Sequence, residues 1–412
     1  MPPLFTKRLT CPACTLLCDD VDVSALEAVD CPKAQSFFQI EVAKDFVHHV
    51  DGKPAGLESS IQAAVELLQH SRAPLVCGLE NLTTQSQQVA WKIAERSRAT
   101  LDTTMTNGGR GSIFSLQRTG KVTATLGEMA NRSDVIVCWF CDPVKTHPRL
   151  LERLSKPGVS NRRILVIDDS DTSKASRLGE HVYVERENAA AVLAILRALL
   201  VGIQIESDRI LETTGLELSQ LESLLDVITS AKYGSIIYGQ LQGNSAFDLV
   251  TDSLALLIRE LNDKTRFVGM KLRTDLNAQS AENVLAWSSG YPFAVNFSRK
   301  YPRFNWLEYS AETVLSRGEC DAVLLATGVD WQSSVSGLSQ AAREQLETIP
   351  TVAISPVGNC PADISIQVGI PALSQTGEYC RNDDVSMPLR SVQKPEATTA
   401  ESVLGAILTA IS

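Results

Sequence analysis

Aromatic residues are scarce in this 412-residue sequence, at 6%, and lysine and arginine never gather into a run of the kind that follows a phosphate backbone. With a formal net charge of −10, nucleic acid is not an expected partner. Long apolar runs are missing as well. The longest, Ala189 to Ile203, is interrupted by Arg197 and is too short to cross a bilayer, so it reads as a buried core helix and no membrane partner is expected. Met1 to Arg8 has no apolar core resembling a signal peptide, and a cytoplasmic location is expected. The usual catalytic signatures are also absent. There is no Ser–His–Asp order, no nucleophile elbow, no His-Glu-x-x-His and no dinucleotide fingerprint.

What is present is an ordinary globular composition, 44% hydrophobic and 21% charged, in a chain long enough for roughly two or three domains. Residues 1–50 stand apart as a small cysteine-rich segment. Beyond them strands and helices alternate, and the order of elements runs twice. The first copy, 51–205, has strands expected at Pro74–Leu79, Asp134–Trp139, Arg163–Asp168 and His181–Val184, with helices around Gln85–Arg98 and Ala189–Leu200. The second, 206–412, has strands expected at Ser235–Gly239, Asp321–Ala326, Thr351–Ser355 and Ile364–Val368, with a helix around Phe247–Leu261. Short β-branched runs separated by helices predict an α/β fold of two related parallel-sheet units. Ligands in such sheets bind beyond the carboxyl ends of the strands, which makes the loops after Leu79, Trp139, Asp168, Gly239, Ala326 and Ser355 the candidates.

Ten cysteines in a chain this long do not form a disulfide scaffold. Four of them fall early: Cys11, Cys14 and Cys18 in Cys-x2-Cys-x3-Cys spacing, and Cys31 after 12 more residues. Three thiolates on one loop and a fourth from outside it suit a [4Fe–4S] cluster, whose irons each need one sulfur ligand. Structural zinc also takes four thiolates, usually from two Cys-x2-Cys knuckles, and only one is present here. Cysteines packed as small hydrophobes are the third reading.

Other groups have plainer readings. Cys138-Trp-Phe-Cys141 repeats the Cys-x2-Cys spacing, but Cys138 lies in an apolar strand and reads as core, with Cys141 lining the following loop. His147, between Thr146 and Pro148, fits either an anion site or the start of a helix. His48 and His49 have no companion ligands nearby and read as surface residues. The run Asn107-Gly-Gly-Arg-Gly111 fits a tight turn, or a backbone able to approach a phosphate.

Several strings resemble the B subunit of tungsten or molybdenum formylmethanofuran dehydrogenase, a relative of the molybdopterin formate dehydrogenases. They are Cys14-Thr-Leu-Leu-Cys18-Asp-Asp-Val21 with Cys31-Pro-Lys33, Thr125 to Trp139 leading into Cys141-Asp-Pro143, and Val284 to Asn305. The resemblance runs from the first cysteine to about Val392 and implies a molybdopterin-oxidoreductase-like fold. In that family a cysteine or selenocysteine, followed by His, holds the pterin-bound metal in a loop after a strand end. The matching loop here, Asp102 to Gly111, contains neither Cys nor His. A tungsten or molybdenum centre needs that soft ligand. The family's Arg-Gly-His-Tyr-Asn stretch reads Arg273-Thr-Asp-Leu-Asn277, and the turn after Asp168 is acidic, with Asp169 and Asp171, where a nucleotide's pyrophosphate would be repelled.

These departures imply a degenerate pterin site near Asp102, Asn107, Gly108, Gly109 and Arg273, with no tungsten or molybdenum pterin expected. They match the B subunit of the bacterial formyltransferase/hydrolase complex of tetrahydromethanopterin-dependent one-carbon metabolism, whose expected partners are the A, C and D subunits. The resemblance therefore implies a non-catalytic structural subunit, with Cys11, Cys14, Cys18 and Cys31 as candidate [4Fe–4S] ligands. An active pterin dehydrogenase subunit is the alternative, and an electron-transfer subunit using the cysteine cluster alone is a third.

Overall fold

The computed structural model describes residues 8–43, 45–103, 106–155, 159, 161–170, 175–239, 246–274, 276–358, 360–393 and 398–411, with 106–111 and 246–248 described by their helical backbone alone. The chain divides into two compact units, the first formed by Met1–Thr106 with Asp275–Ser412 and the second by Asn107–Thr274.

In the first unit, β1 (Arg8–Leu9) and β2 (Val21–Asp22) pair antiparallel around the cysteine-bearing loop. There follow β3 (His48–Val50), β4 (Lys53–Ala55), β5 (Pro74–Cys77) and β6 (Thr100–Leu101). The second unit supplies β7 (Val135–Trp139), β8 (Arg163–Asp168), β9 (Glu180–Tyr183), β10 (Tyr233–Tyr238) and β11 (Arg266–Lys271). The chain then returns to the first unit with β12 (Val295–Asn296), β13 (Arg303–Phe304), β14 (Ala322–Ala326), β15 (Thr351–Ser355) and β16 (Ile364–Gln367). Last is the antiparallel pair β17 (Gly377–Cys380) and β18 (Ser386–Leu389).

The first unit is built on a nine-stranded sheet ordered β13-β12-β6-β5-β14-β15-β16-β3-β4. Its centre, from β6 to β16, is parallel, and the short edge strands pair antiparallel. Alternate residues face opposite cores, as the pleat requires. Val76, Leu324, Val352 and Ile354 pack with Ile93, Leu285 and Leu404 of helices Thr84–Ser97, Ala278–Ser289 and Ala400–Ala410. Leu75, Cys77, Val323 and Leu325 pack on the other face with Val314 and Leu346 of helices Ala311–Ser316 and Gln340–Leu346. Both faces are covered, which is why the central strands read as continuous apolar runs.

The second unit has a five-stranded, fully parallel sheet ordered β11-β10-β7-β8-β9. Val135, Val137, Trp139, Ile167 and Ile236 pack against helices Ala189–Leu200, Leu218–Thr229 and Ala246–Leu261. The expected helix Ala189–Leu200 is found at those bounds, and it is buried.

The structure divides the chain differently from the linear reading. A cut at 205/206 falls inside the second unit, between β9 and β10, whose strands share one sheet, and β5 and β6 pair within a sheet that also holds β14 to β16. Sheet order is set by long-range pairing, which local pattern does not carry. His48 also departs from the surface reading, because it is buried in β3 with its Nδ1 accepting from the Gln367 backbone N–H at 3.2 Å. The Asn107–Gly111 run is not a turn but opens the helix Thr106–Thr119.

Candidate functional site

The cysteine-bearing segment is tied to itself by its backbone. The Cys11 N–H donates to the Cys18 carbonyl at 2.9 Å and the Leu17 N–H to the Cys14 carbonyl at 3.2 Å, with Leu17 in the left-handed region at φ 42. Cys31 stands at the N-cap position of the helix Pro32–Phe38, with no capping bond from its side chain. The loop is anchored where Leu17 packs with Tyr379, Met387 and Leu389, and where the Asn382 N–H reaches the Thr15 carbonyl at 3.0 Å. Cys11, Cys18 and Cys31 are buried and Cys14 is half-buried.

Burial pushes the Cys11 thiol well above its ordinary value of 9.0; a backbone hydrogen bond at Ala13 opposes this, and charge on Cys14, Cys18 and Cys31 pushes it further up. Four thiols thus share one neighbourhood, and a cationic centre there would reverse that penalty. As the chain stands, no group of three or more His, Cys, Asp or Glu side chains among the described residues is arranged to hold a metal ion. In number, kind and neighbourhood the four thiols fit an iron–sulfur cluster. They have not converged on one point.

Each large sheet has a switch point where neighbouring strands lead off in opposite directions, between β5 and β14 in the first unit and between β7 and β10 in the second. In open α/β sheets this is where a crevice opens for ligands. The two units treat it alike. After β5 the chain turns through Asn81 at φ 63, and after β7 through Phe140 at φ 43. Opposite each turn stands a glycine: a Cβ on Gly328 would run into the Asn81 carbonyl, and one on Gly239 into the Phe140 carbonyl. At both switch points the loops meet backbone to backbone. Segment 240–245, after Gly239, lies outside the described residues.

Asp102, at the end of β6, is fully buried. Its two carboxylate oxygens accept from the Ala294 N–H at 3.0 Å and the Ala311 N–H at 2.6 Å. The carboxylate therefore fastens the chain before β12 and starts the helix Ala311–Ser316. Asn107, Gly108 and Gly109 lie in the helix Thr106–Thr119, and their side chains are outside the described residues. Arg273 is buried beyond β11, with its charge near the hydroxyl of the half-buried Tyr238, whose pKa desolvation raises to about 12 and Arg273 draws back down. Asp102 belongs to the first unit and the other four to the second.

The acidic turn after β8 carries less bare charge than its sequence suggests. Asp169 forms two bonds to Arg186, at 2.8 and 3.1 Å, and its carboxyl is held below the usual range chiefly by that arginine. Asp168 accepts from or pairs with His181 Nε2 at 2.9 Å. Asp171 lies outside the described residues. The expected repulsion of a pyrophosphate is thus weakened at Asp169, because an arginine 17 residues away in sequence neutralises it. The paired glycines, the left-handed Asn81 and Phe140, and the Arg186 partner were not anticipated from the sequence. Only Gly239 and Gly328, each following an apolar strand, offered a signal.

The fold is molybdopterin-oxidoreductase-like. It matches a chain of the formyltransferase/hydrolase complex from Methylorubrum extorquens in complex with methylofuran, with a TM-score of 0.73, 23% identity, and coverage of 88% of this chain and 98% of that one. It also matches acetylene hydratase from Pelobacter acetylenicus, with a TM-score of 0.64 and 10% identity over 98% of this chain and 69% of that one. In sequence the chain is similar, in particular, to formylmethanofuran dehydrogenase B subunits. It is 27% identical to the B subunit of the tungsten-containing formylmethanofuran dehydrogenase 2 of Methanococcus maripaludis over 96% of both chains, and 28% identical to that of Methanocaldococcus jannaschii over 94% of both. The B subunit of the formyltransferase/hydrolase complex of Methylorubrum extorquens is 24% identical over 88% of this chain and 96% of its own. No protein-family model matches the chain.

Proposed function

We propose that this chain is a non-catalytic B subunit of a formyltransferase/hydrolase-type complex, retained for assembly with the A, C and D subunits in one-carbon metabolism. The observation that carries this reading is the composition of the segment from Asp102, at the end of β6, to Gly111, in the first turns of helix Thr106–Thr119. It offers no thiol or imidazole, and its single carboxylate accepts from two backbone N–H groups. Amide and hydroxyl groups are poor ligands for tungsten or molybdenum. The interfaces of such a subunit need only packing, so they outlast lost redox chemistry. On this reading Cys11, Cys14, Cys18 and Cys31 would hold a [4Fe–4S] cluster, whose chemistry when bound is one-electron transfer or structural cross-linking.

A second reading, an active tungsten- or molybdenum-pterin subunit, is favoured by one observation. Two relatives named as tungsten-containing match over 96% and 94% of the chain, at 27% and 28% identity. One measurement separates the two: elemental analysis of the native assembly, purified without oxygen. About four irons per chain with neither tungsten nor molybdenum is the result expected. Stoichiometric tungsten or molybdenum, with dye reduction by a formyl donor, would overturn the scaffold reading.

A further inference from the structure

One segment of the first unit departs from the rest of the chain in both charge and aromatic content. Of 11 phenylalanines, 7 tyrosines and 5 tryptophans, eight residues lie between Trp287 and Tyr309. From Asn283 to Leu307 there is no carboxylate, in a chain that carries 48 of them. Packing accounts for part of this. Phe293 and Phe297 are buried, and the Phe304 ring of β13 stacks on Tyr291 at 5.3 Å and meets Phe293 edge-on at 5.5 Å. The stack ties the end of helix Ala278–Ser289 to the outermost strand of the nine-stranded sheet. The rest is left in water. Trp287 is 61% exposed, Tyr301 in the β12–β13 turn 53%, and Leu307 54%.

The turn has a fixed shape. Asn296 Oδ1 accepts from the Ser298 N–H at 3.2 Å and from Arg303 at 2.7 Å, and Lys300, at φ 67, donates its N–H to the Phe297 carbonyl at 2.8 Å. Arg303 is thereby used within the turn. Arg299 and Lys300 are exposed and form no ion pair among the described residues, whereas the equally exposed Arg132, Arg163 and Arg317 each meet a glutamate.

We propose that the β12–β13 turn, flanked by Trp287 and Leu307, is a docking surface for an acidic segment of a partner subunit. This rests on the assembly reading above and names the surface it uses. Carboxylates of the partner pair with Arg299 and Lys300, while its apolar side chains cover Tyr301 and Trp287. Exposed aromatics of this kind anchor an interface once water is excluded, and the charges set orientation and encounter rate. The sign of the turn selects the occupant. In a symmetric pair of copies the same patch meets itself, which would set cations against cations. Strand addition along β13 is blunted by its two-residue length and by Pro302 before it, so side chains carry the recognition.

The test is hydroxyl-radical footprinting of the chain alone and in the native assembly, read by mass spectrometry at matched dose. Labelling of Trp287 and Tyr301 should fall several-fold in the assembly. A carbodiimide, which condenses a carboxylate with an amine and releases water, should join Lys300 to an aspartate or glutamate of a partner subunit. Arg299→Glu combined with Lys300→Glu should weaken association about tenfold or more without lowering the melting temperature, since both residues are exposed. Unchanged labelling in an assembly that does form overturns the docking surface and leaves the assembly reading standing. A chain that joins no other subunit overturns both. Protection that grows with the concentration of the chain alone would assign the surface to a second copy, and protection lost on nuclease treatment would assign it to nucleic acid. Either result also overturns the proposal.

Discussion

Asp102 shows how a residue can sit where a cofactor ligand is expected and serve the scaffold instead. Its two oxygens satisfy two buried backbone N–H groups from segments 192 and 209 residues away. Asp102→Ala leaves both donors unpaired, and leaving buried donors unsatisfied costs about 1–3 kcal/mol each. Asp102→Asn retains one acceptor and should cost roughly half as much, as read by urea denaturation. Equal loss in both variants would mean that charge, not acceptor count, holds the joint. His48 makes a second case. Burial first, and His49 second, lower its pKa from the ordinary 6.5. A base with a depressed folded pKa stabilises fully above its unfolded value and loses that contribution as pH falls from about 6.5 through the folded value. The melting temperature should therefore drop below about pH 6.5, and more steeply than in His48→Asn, whose side-chain oxygen can replace Nδ1 as acceptor for the Gln367 N–H.

At the scale of elements, the paired switch points make a sharper prediction. Gly239→Ala and Gly328→Ala each push a Cβ into a carbonyl of the opposite loop, a backbone atom that cannot rotate away. Overpacking of this kind costs about 1–3 kcal/mol. Gly405→Ala in helix Ala400–Ala410 meets nothing within 4 Å and should instead stabilise by about 0.5–1 kcal/mol. Thermal melts of the three variants decide it, and a stabilised Gly239→Ala would show that the loops do not meet as described. The elements that sequence pattern located were those whose burial is written locally. Pro74–Cys77, Val135–Trp139, Arg163–Asp168, Ala322–Ala326 and Thr351–Ser355 are apolar throughout most of their length because helices cover the sheet on both faces. The elements missed are short or polar. β6 and β12 have two residues each, and β3 begins with two histidines, the first of them buried and accepting from Gln367, 319 residues away. That the four cysteines share one neighbourhood was suggested by their spacing. The fact that Asp102 turns inward was not, since nothing local distinguishes a carboxylate that serves a ligand from one that serves a distant amide.

At the scale of the molecule, two units of different continuity share the chain. If an iron–sulfur cluster occupies the N-terminal cysteines, its removal by a chelator and reductant should loosen the segment it ties together and spare the rest. Hydrogen exchange is expected to quicken at Cys11 and Leu17, whose N–H groups bond within the loop, while β7, β8 and β10 keep their protection. Unchanged exchange across Leu9–Phe38 after iron loss would detach the metal from the fold of that segment. The order of strands in the nine-stranded sheet was beyond sequence reasoning, because β5 takes its neighbour β14 from the far side of the entire second unit.

That pairing has a consequence for how the chain is made. A ribosome delivers β5 and β6 early, yet β5 lacks one of its neighbours until Ala322 has been synthesised. The second unit, by contrast, is complete in one uninterrupted stretch once Thr274 has emerged. It can condense while the first unit is still a half-built sheet with an apolar strand open on one side, and pairings so distant along the chain form slowly. The nascent protein therefore passes through a long interval in which its β5 edge is an invitation to other chains. A holding chaperone, rather than greater stability of the finished fold, is what would raise its yield.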